Sequence, residues 1–463
     1  MGSRSQGSHT LTLLSECFVK PPNLDNKEAP KKLTYLGGTD LFMLALDTMQ
    51  KGLLFDTKLQ PDFLAKLKKS LYISLIHFYP LAGQLGIQKF DNEQTCCFYV
   101  DCEAGPGARL LHASVNNSVS DIVSSVDVHP IVEFFFDLGE KSINYEGHTR
   151  PLLSVQVTEL VDGFFIGFTM NHCIADGTSL WHFISTLSEI FCQVKDNDKN
   201  EYREVHEVSI SRKPIIETLF PSGGYGPTFR LPYLKPDEFV NRYKYDPGPL
   251  RVRIFHFSPK SISMLKSKAN EECGLQNNIS SFQALCAFMW QSITRARNLR
   301  TEDETRLSIP MNARTRFNPP FPDEYFRNSI TVAKGETKVG DLMSNSLGHA
   351  ALIVNQCIKM QDGTYYRKLA KYFEENACVV PRGSASANVT IGGSPRFDMY
   401  GPKFGVGKAV AVLAGYASKD DGKVTANPGC EGSGSVDLEV CLRPENMNAL
   451  ELDEEFMSFV STI

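Results

Sequence analysis

Residues 152–194 read LLSVQVTELVDGFFIGFTMNHCIADGTSLWHFISTLSEIFCQV. Two β-rich runs flank the dipeptide Asp162-Gly163, which is a strong signal for a tight hairpin. The polar segment HCIADGTS follows the second run and leads into an amphipathic stretch, which predicts a helix with Thr178 or Ser179 as its N-cap. We therefore expect the histidine of this segment on a loop between a strand and a helix, where rigid scaffolds commonly carry chemistry.

The rest of the chain alternates between helical and strand-like patterns. Amphipathic helices are predicted at residues 61–80 and 279–299. Residues 39–55 carry apolar residues at roughly helical spacing and are also predicted to be helical, as are residues 442–460 at the C-terminal end. Strands are predicted at residues 11–21, 251–258, 385–393, 408–417, 423–429 and 434–442. The overall pattern indicates a mixed α/β protein.

The length and composition indicate a protein of two ordinary domains. The chain has 463 residues, of which 42% are apolar, and this is too long for one typical core. Periodicity is lost over the charged stretch KDNDKNEYRE and the Gly- and Pro-rich stretch LFPSGGYGP. We therefore predict an N-terminal domain over residues 1–194, a crossover loop over residues 195–226 and a C-terminal domain over residues 227–463.

Charge and cysteine usage exclude several classes of protein. A net charge of −5 with 22% charged residues argues against a dedicated partner of nucleic acid or of an anionic membrane. No run of about 18 apolar residues is present, so we expect a soluble cytoplasmic protein. The twelve cysteines include no CxxC pair, which favours reduced thiols over disulfides or zinc, and no metal site is predicted.

His172 is the strongest candidate for a catalytic residue among the ten histidines. Histidine can accept a proton near neutral pH, and His172 is followed four residues later by Asp176 and then by Gly177. A packed structural turn would show the same local pattern. No GxSxG or HExxH motif occurs, and the side chain of the neighbouring Cys173 is expected to point away from that of His172.

Several ordered motifs resemble those of the plant BAHD acyltransferases, an acyl-CoA-dependent family. NHCIADGTSLWHF (171–183) resembles the HxxxDG motif of this family. HFYPLAGQL (77–85), SSFQALCAFMWQSITRAR (280–297) and SIPMNARTRFNPPFPDEYFRNSI (308–330) are similar to its other signatures and come in the same order. The stretches ECFVKP, VTIGGSPRFDMYG and VDLEVCLRPENMNALE look most like an acetyltransferase-like branch.

This resemblance implies a two-domain α/β fold of the chloramphenicol acetyltransferase type, with mixed sheets, flanking helices and an active-site channel between the domains. It also implies transfer of an acyl group from acyl-CoA, as co-substrate, to the hydroxyl or amine of a plant specialised metabolite. We expect no permanently bound cofactor and a monomeric protein. The alternative is a decayed or repurposed member acting as a lyase, a hydrolase or a binding protein, because fold does not fix function.

The resemblance also assigns roles to residues around the histidine. His172 would be the general base, while Asp176 would point away from the substrates and pair with Arg314, so that together with Gly177 it holds the shape of the loop. The donor that stabilises the oxyanion stays open between Thr390, Ser394 and a backbone N–H, since Ser394 stands where many relatives have Trp. That replacement could equally widen the pocket for a bulkier acceptor.

Contacts to coenzyme A are expected on the C-terminal half. Ser280, Ser281 and Asn312 match family positions near the coenzyme A arm. A basic run, which could meet the phosphates or simply form a solvated surface, comprises Arg295, Arg297 and Arg300.

The stretch YGPKFGVGKAVAV (400–412) suggests a phosphate-binding loop, but its spacing does not fit one. Five residues separate Gly401 from Gly407 instead of the four of a P-loop, and Ala409 replaces the required hydroxyl residue. The family carries Asp-Phe-Gly-Trp-Gly here, so Phe404, Gly405 and Gly407 are retained while Lys403 and Val406 are replacements. The resemblance implies that the glycines serve backbone geometry near the donor end of the channel. It also implies that the two replacements affect donor affinity and substrate choice.

Overall fold

The computed structural model describes residues 3–6, 9–21, 33–195, 208–217, 229–235, 238, 248–274, 278–379, 387–432 and 434–461. Of the predicted crossover loop over residues 195–226, only residue 195 and residues 208–217 fall within this described part.

The described strands and helices alternate along the chain. The strands are β1 (Ser3–Gln6), β2 (His9–Val19), β3 (Leu33–Tyr35), β4 (Met49–Phe55), β5 (Gln84–Phe90), β6 (Thr95–Asp101), β7 (Ala108–Ser114), β8 (Leu153–Glu159), β9 (Phe164–Met170), β10 (Arg251–Phe257), β11 (Glu304–Asn312), β12 (Ile330–Lys338), β13 (Asn388–Gly393), β14 (Ala411–Ala414), β15 (Lys423–Pro428) and β16 (Val436–Leu442). The helices are α1 (Gly38–Leu41), α2 (Phe63–His77), α3 (Val119–Val123), α4 (Gly177–Gln193), α5 (Pro259–Glu272), α6 (Ser281–Ala296), α7 (Val339–Ser344), α8 (Leu347–Lys359), α9 (Gly363–Glu375), α10 (Pro444–Glu451) and α11 (Glu454–Phe459).

The strands form two large mixed sheets and one small sheet. The first large sheet has the order β1-β2-β7-β8-β9-β4-β14, and the second has the order β10-β16-β15-β13-β11-β12. The small sheet has the order β3-β6-β5. Strands β8 and β9 pair antiparallel around Asp162-Gly163 with Glu159 opposite Phe164, which confirms the predicted hairpin.

One strand of the C-terminal half belongs to the sheet of the N-terminal half. Strand β14 pairs antiparallel with β4, with Ala411 opposite Leu54 and Ala414 opposite Lys51. The predicted C-terminal domain therefore contributes an edge strand to the seven-stranded sheet. The two halves of the chain are therefore joined by backbone hydrogen bonds between β14 and β4 as well as by side-chain packing.

Residues 39–55 do not form the predicted helix. They contain the single turn of α1 and the strand β4, which lies between β9 and β14 and has its last four residues buried. A side chain at Gly52 would approach the carbonyl oxygen of Ile166 to 2.6 Å, so the close pairing of these strands requires glycine. Buried strands lack a polar face, and an apolar run alone does not distinguish such a strand from a buried helix.

The predicted C-terminal helix over residues 442–460 is also divided. Helix α10 ends before Leu452, and α11 begins after Asp453, whose carboxylate accepts a hydrogen bond from the backbone N–H of Phe456 at 3.1 Å. Asp453 is therefore an N-cap rather than part of a continuous helix.

Each large sheet is covered by helices on one face, and the two sheets contact each other through a shared apolar cluster. Helices α2 and α4 cover one face of the first sheet, and α5, α6 and α8 cover one face of the second. Between the sheets, Val252 and Cys441 of the second sheet share a core with Leu54 and Leu413 of the first. The face of the second sheet that no helix of its own half covers is therefore directed toward the N-terminal half.

Candidate active site

The loop that carries His172 connects the end of β9 to the start of α4. Asp176 has an extended backbone, and its Oδ1 accepts a hydrogen bond from the backbone N–H of Ser179 at 3.0 Å. The N-cap is therefore Asp176, and the prediction of Thr178 or Ser179 was wrong by two or three residues. An aspartate is among the best N-caps because its carboxylate satisfies an N–H group that has no partner within the helix.

Asp176 and Arg314 form a fully buried ion pair. Arg314 donates from Nη1 to Oδ2 of Asp176 at 2.7 Å and from Nη2 to Oδ1 at 3.1 Å. The backbone N–H of Ser329 donates to the same Oδ2 at 2.9 Å. Burial opposes ionisation of this carboxyl group, but Arg314 and the backbone N–H groups outweigh it and lower the pKa of Asp176. Both carboxylate oxygens are thus occupied by structural partners.

Arg314 extends this contact to a second segment of the chain. Its guanidinium group donates to the carbonyl oxygens of Tyr325 and Arg327, at 3.0 and 2.7 Å from Nη2. It also donates to the hydroxyl of Ser179 at 3.0 Å. The pair therefore fixes the His172 loop against the segment between β11 and β12.

The backbone at His172 is held by two buried asparagines. Oδ1 of Asn144 accepts the backbone N–H of His172 at 2.6 Å, and Nδ2 of Asn144 donates to the carbonyl oxygens of Met43 and Leu46, each at 2.9 Å. Asn171 donates to the carbonyl oxygen of Asn144 at 2.7 Å. The loop conformation is therefore set by side chains far from it in sequence.

The ring of His172 is oriented by Asn328. Nδ1 of His172 lies 3.1 Å from Oδ1 of Asn328. Nδ2 of Asn328 donates to Oδ1 of Asp40 at 3.0 Å and to the carbonyl oxygen of His172 at 2.7 Å, and both of these partners can only accept. The amide orientation of Asn328 is thereby fixed, so Nδ1 of His172 must be the protonated nitrogen. In this tautomer Nε2 carries the free lone pair.

A second buried ion pair, between Arg327 and Asp40, holds the carboxylate to which Asn328 donates. Nη2 of Arg327 donates to Oδ2 of Asp40 at 2.6 Å and to the carbonyl oxygen of Tyr35 at 2.8 Å. Asp40, Asn144 and Asn328 were not predicted from the sequence as residues of the site. Asn328 lies within the quoted block that contains Arg314, which was a usable signal, whereas Asp40 lies in the segment whose structure was predicted wrongly.

Electrostatics favour a neutral imidazole at this position. Burial lowers the pKa of His172 below its ordinary value, while the hydrogen bond to Asn328 and the charge of Asp176 oppose that shift in part. The positive charge of Lys423 lowers the same pKa further. The side chain nevertheless remains partly exposed, so a ligand can reach it. A partly exposed, neutral histidine with a free Nε2 can accept a proton from a bound hydroxyl or amine.

Gly177 begins helix α4 and has room for a side chain. A Cβ added there would meet only the ring of Phe397, at 3.6 Å, which is ordinary van der Waals contact. Sterics in this structure therefore do not explain a glycine at this position.

The candidate oxyanion residues lie on or just after β13. The backbone N–H of Thr390 donates to the carbonyl oxygen of Gly422 at 2.9 Å, so only its hydroxyl is left to bind an oxyanion. Oγ of Ser394 accepts the backbone N–H of Arg396 at 3.2 Å and retains its own proton for donation. Gly393 between them has a φ of +84°, and a Cβ there would lie 2.5 Å from the carbonyl oxygen of Ala426, so this bend requires glycine.

The three candidate contacts to coenzyme A lie in different settings. Ser280 is the N-cap of α6, where it forms a capping box with Gln283, and Ser281 is the first residue of that helix. The side chain of Asn312 is exposed, and its Oδ1 accepts the backbone N–H of Arg314 at 3.0 Å. Within the described part of the chain, no hydrogen bond joins either serine to Asn312 or to the His172 loop.

The arginines of the basic run are each paired with an acidic residue. Arg297 is buried and lies 2.9 Å from Asp421, while Arg295 lies 2.7 Å from Asp453. Arg300 lies 2.7 Å from Asp303 on the surface. These pairs account for the run without a phosphate ligand.

The KFGVG segment packs against helix α4. Phe404 is fully buried, with its ring centroid 5.8 Å from that of Phe191. The backbone N–H groups of Lys403 and Phe404 both donate to Oγ of Ser188 at 3.0 Å, while the Lys403 side chain is exposed. Gly405 and Gly407 have φ values of +70° and +114°, a region that favours glycine. This segment therefore docks the chain that leads into β14.

Other features of the described residues bear on ligand classes. They contain no group of three His, Cys, Asp or Glu side chains arranged to hold a metal ion. Within the same ranges, no helix combines the length and the apolar character needed to cross a bilayer. A small recess beside the His172 loop is lined by Cys173, Ile174, Phe326 and Arg327 among others, and its lining does not include His172.

Comparison with known proteins gives consistent matches over nearly the whole chain. The model of the Transferase family matches residues 25–457. An uncharacterized acetyltransferase of Arabidopsis thaliana is 35% identical, and the match covers 96% of this chain and 98% of the relative. The BAHD acyltransferase DCR of the same plant is 29% identical, with 96% and 92% covered.

A solved structure shows the same fold. The crystal structure of TRI101 from F. sporotrichioides, complexed with coenzyme A and T-2, has a TM-score of 0.69 and 18% sequence identity, and the match covers 93% of this chain and 99% of TRI101. At this identity the likeness shows the fold alone. It confirms the predicted two-domain α/β acyltransferase architecture.

Proposed function

The chain belongs to the Transferase family, the BAHD acyltransferases, and on this basis we propose that it moves an acyl group from a coenzyme A thioester to a small-molecule acceptor. The acceptor is a hydroxyl or amine of a plant specialised metabolite, and His172 is the general base. We also propose that the enzyme is monomeric and cytoplasmic.

The observation that supports this proposal best is the tautomer of His172. Asp40 fixes the amide of Asn328, and Oδ1 of Asn328 accepts a hydrogen bond from the N–H at Nδ1 of His172, so Nε2 is held as a proton acceptor. The lowered pKa keeps the ring neutral at pH 7, which is the state that a general base requires.

The transfer proceeds in one addition and one elimination. Nε2 of His172 takes the acceptor proton as the acceptor oxygen or nitrogen forms a bond to the thioester carbonyl carbon. The tetrahedral intermediate then collapses with cleavage of the C–S bond, and the imidazolium returns the proton to the departing thiolate. No acyl-enzyme is needed when both substrates meet at one site.

The oxyanion of the intermediate needs a donor near the carbonyl oxygen. The hydroxyls of Thr390 and Ser394 are the proposed donors, because each keeps a proton that the described hydrogen bonds do not use. Asn312, Ser280 and Ser281 remain the proposed contacts to coenzyme A. Asp176 takes no part in proton transfer in this mechanism, since its oxygens are occupied by Arg314 and by backbone N–H groups.

The decisive experiment incubates the purified protein with acetyl-CoA and aromatic acyl-CoAs against pooled alcohols and amines, with mass spectrometry to detect esters and amides. We expect acceptor-dependent product that disappears in His172→Ala. Release of free coenzyme A without an acceptor, at the rate seen with one, would instead indicate a hydrolase. A folded protein that transfers no acyl group to any acceptor would contradict the proposal.

A further inference from the structure

A cluster of lysines lies where the two large sheets meet. Lys51 belongs to β4 of the first sheet, and Lys423 is the first residue of β15 in the second. Lys419 precedes β15 and is largely buried beside Glu439 of β16. On β15, Val424 and Ala426 face the helix-covered core, so Lys423 faces the other way, toward the N-terminal half.

Within the described ranges, two of these three lysine side chains have a polar partner and one does not. Lys419 forms an ion pair with Glu439, and Nζ of Lys51 donates to Oδ1 of Asn427 at 3.2 Å. Among the described residues, the ammonium group of Lys423 has neither a hydrogen-bond partner nor a carboxylate within ion-pair distance. The nearby charges that act on it are those of Asp420 and Lys419, with Cys441 as a further neighbour.

The ammonium group of Lys423 is directed toward the edge of the sheet where His172 lies. The backbone of Lys423 lies opposite Thr390 of β13. Its Nζ, however, lies near Gly392, two residues further along β13, at 3.5 Å from the position that a Cβ of Gly392 would occupy. The side chain of Lys423 therefore leans toward the carboxyl end of β13. Strands β11, β13 and β15 run parallel, so their carboxyl ends share this edge. The segment after β11 holds Asn328, which contacts His172.

Lys423 is coupled electrostatically to His172. Its charge is one of the causes that lower the pKa of His172. Burial lowers the pKa of Lys423 itself, and it lowers that of Lys51 to about 8. Both side chains keep partial exposure, so a ligand can reach them. A desolvated ammonium group that makes no direct ion pair is costly, and such groups concentrate where a ligand supplies the opposite charge.

We propose that Lys423 binds a carboxylate carried by the acceptor, so that the acceptor is a hydroxy acid or an amino acid. This inference rests on the acyl transfer proposed above. The phosphates of coenzyme A do not fit this position, because the pantetheine arm separates them from the thioester that must lie at His172.

The competing anion is the oxyanion of the tetrahedral intermediate, which forms with every acceptor. Removal of a lysine that stabilises the oxyanion lowers kcat, and it does so equally for charged and neutral acceptors. A lysine that binds an acceptor carboxylate acts mainly on KM, and only with acceptors that carry one. The two roles therefore separate when each acid is compared with its methyl ester.

The test compares the wild type with Lys423→Met, Lys423→Arg and, as a matched control, Lys68→Met on the exposed face of α2. The acceptors are 3-hydroxybenzoate, lactate and alanine, each beside its methyl ester, with acetyl-CoA and benzoyl-CoA as donors. We expect Lys423→Met to raise KM for the acids by roughly 10- to 100-fold, as loss of one charge-assisted hydrogen bond would. KM for the esters is unchanged, Lys423→Arg keeps most of the preference for acids, and Lys68→Met behaves as wild type.

A binding measurement keeps this proposal separate from the proposed function. The same acids should raise the thermal unfolding midpoint of the wild type more than their esters do, and this difference should vanish in Lys423→Met. If the difference is seen without turnover, the carboxylate site stands and acyl transfer fails. Equal effects of acids and esters on the wild type, or an equal loss of kcat with both in Lys423→Met, overturn the carboxylate site.

Discussion

Oδ1 of Asn328 lies 3.1 Å from Nδ1 of His172, across 156 residues of sequence. Asn328 is itself fixed by Asp40, which is held by Arg327 in a buried ion pair. The protonation site of the candidate base is therefore decided by a chain of three side chains, none of which touches the acceptor in the proposed mechanism. Asn328 is a positioning residue, and its effect can be measured through the pH dependence of the reaction.

Removal of Asn328 should shift the acidic limb of the pH profile to lower pH. The base is active when neutral, so activity is lost as pH falls through the pKa of His172. The hydrogen bond that His172 donates to Asn328 raises that pKa, so Asn328→Ala lowers it further. We expect kcat to fall by about tenfold, the cost of one hydrogen bond. A profile of kcat/KM against pH checks the shift, and an unmoved limb would contradict the assigned contact.

Removal of the charge at Lys423 should move the same limb in the opposite direction. The ammonium group lowers the pKa of His172, so Lys423→Met raises it and the acidic limb moves to higher pH. A neutral acceptor such as a methyl ester should be used, so that binding of a carboxylate does not obscure the result. Shifts of the same sign in Lys423→Met and Asn328→Ala would exclude the proposed electrostatics.

Loss of the imidazole should abolish transfer with little change in stability. His172→Ala is expected to reduce kcat by about 10²- to 10⁴-fold, the usual contribution of a general base. Within the described residues, the ring's hydrogen bond to another side chain is the one to Asn328, so the free energy of unfolding should fall by only about 1 kcal/mol. His112→Ala, which removes a partly buried histidine paired with Glu159, is a control that should stay active. A fully active His172→Ala protein would refute the general-base role.

Loss of the carboxylate at Asp176 should destabilise the protein and reduce activity together. Asp176→Asn leaves Arg314 buried without a counter-charge, which typically costs about 3–5 kcal/mol. Urea unfolding should show this loss, whereas Asp303→Asn, which breaks the exposed pair with Arg300, should leave the unfolding midpoint almost unchanged. A large loss of kcat at unchanged stability would instead give Asp176 a direct chemical role.

The KFGVG segment should depend on its backbone contacts more than on the Lys403 side chain. Ser188→Ala leaves the backbone N–H groups of Lys403 and Phe404 without their partner, and we expect a loss of about 1–3 kcal/mol. Lys403→Asp changes an exposed side chain and should alter stability by about 0.5 kcal/mol or less. Chemical unfolding of both variants provides the comparison. A larger effect from Lys403→Asp than from Ser188→Ala would show that the charge at this position matters.

Local patterns in the sequence were sufficient where the structure depends on neighbouring residues. The Asp162-Gly163 hairpin, the helix within residues 61–80 and the loop position of His172 follow from turn chemistry and from periodicity. The helix predicted for residues 39–55 was wrong because the apolar run of β4 is buried between two strands, one of which comes from residues 411–414. A local sequence pattern does not indicate which strand, so far away in the sequence, will pair with a given segment.

The candidate base, its HxxxDG frame and the family could be recognised from the amino-acid sequence, because they depend on residue types at fixed spacing. The structure places Arg314 2.7 Å from Asp176, the contact that the family resemblance had suggested. The three-dimensional arrangement was needed to show which nitrogen of His172 is protonated, and that the ammonium group of Lys423 has no hydrogen-bond or ion-pair partner among the described residues. Both depend on side chains brought together from strands and loops more than 150 residues apart, since His172 and Asn328 are separated by 156 residues and Lys423 lies further along the chain. Charge and hydrogen bonding act through space, so spacing along the chain does not predict them.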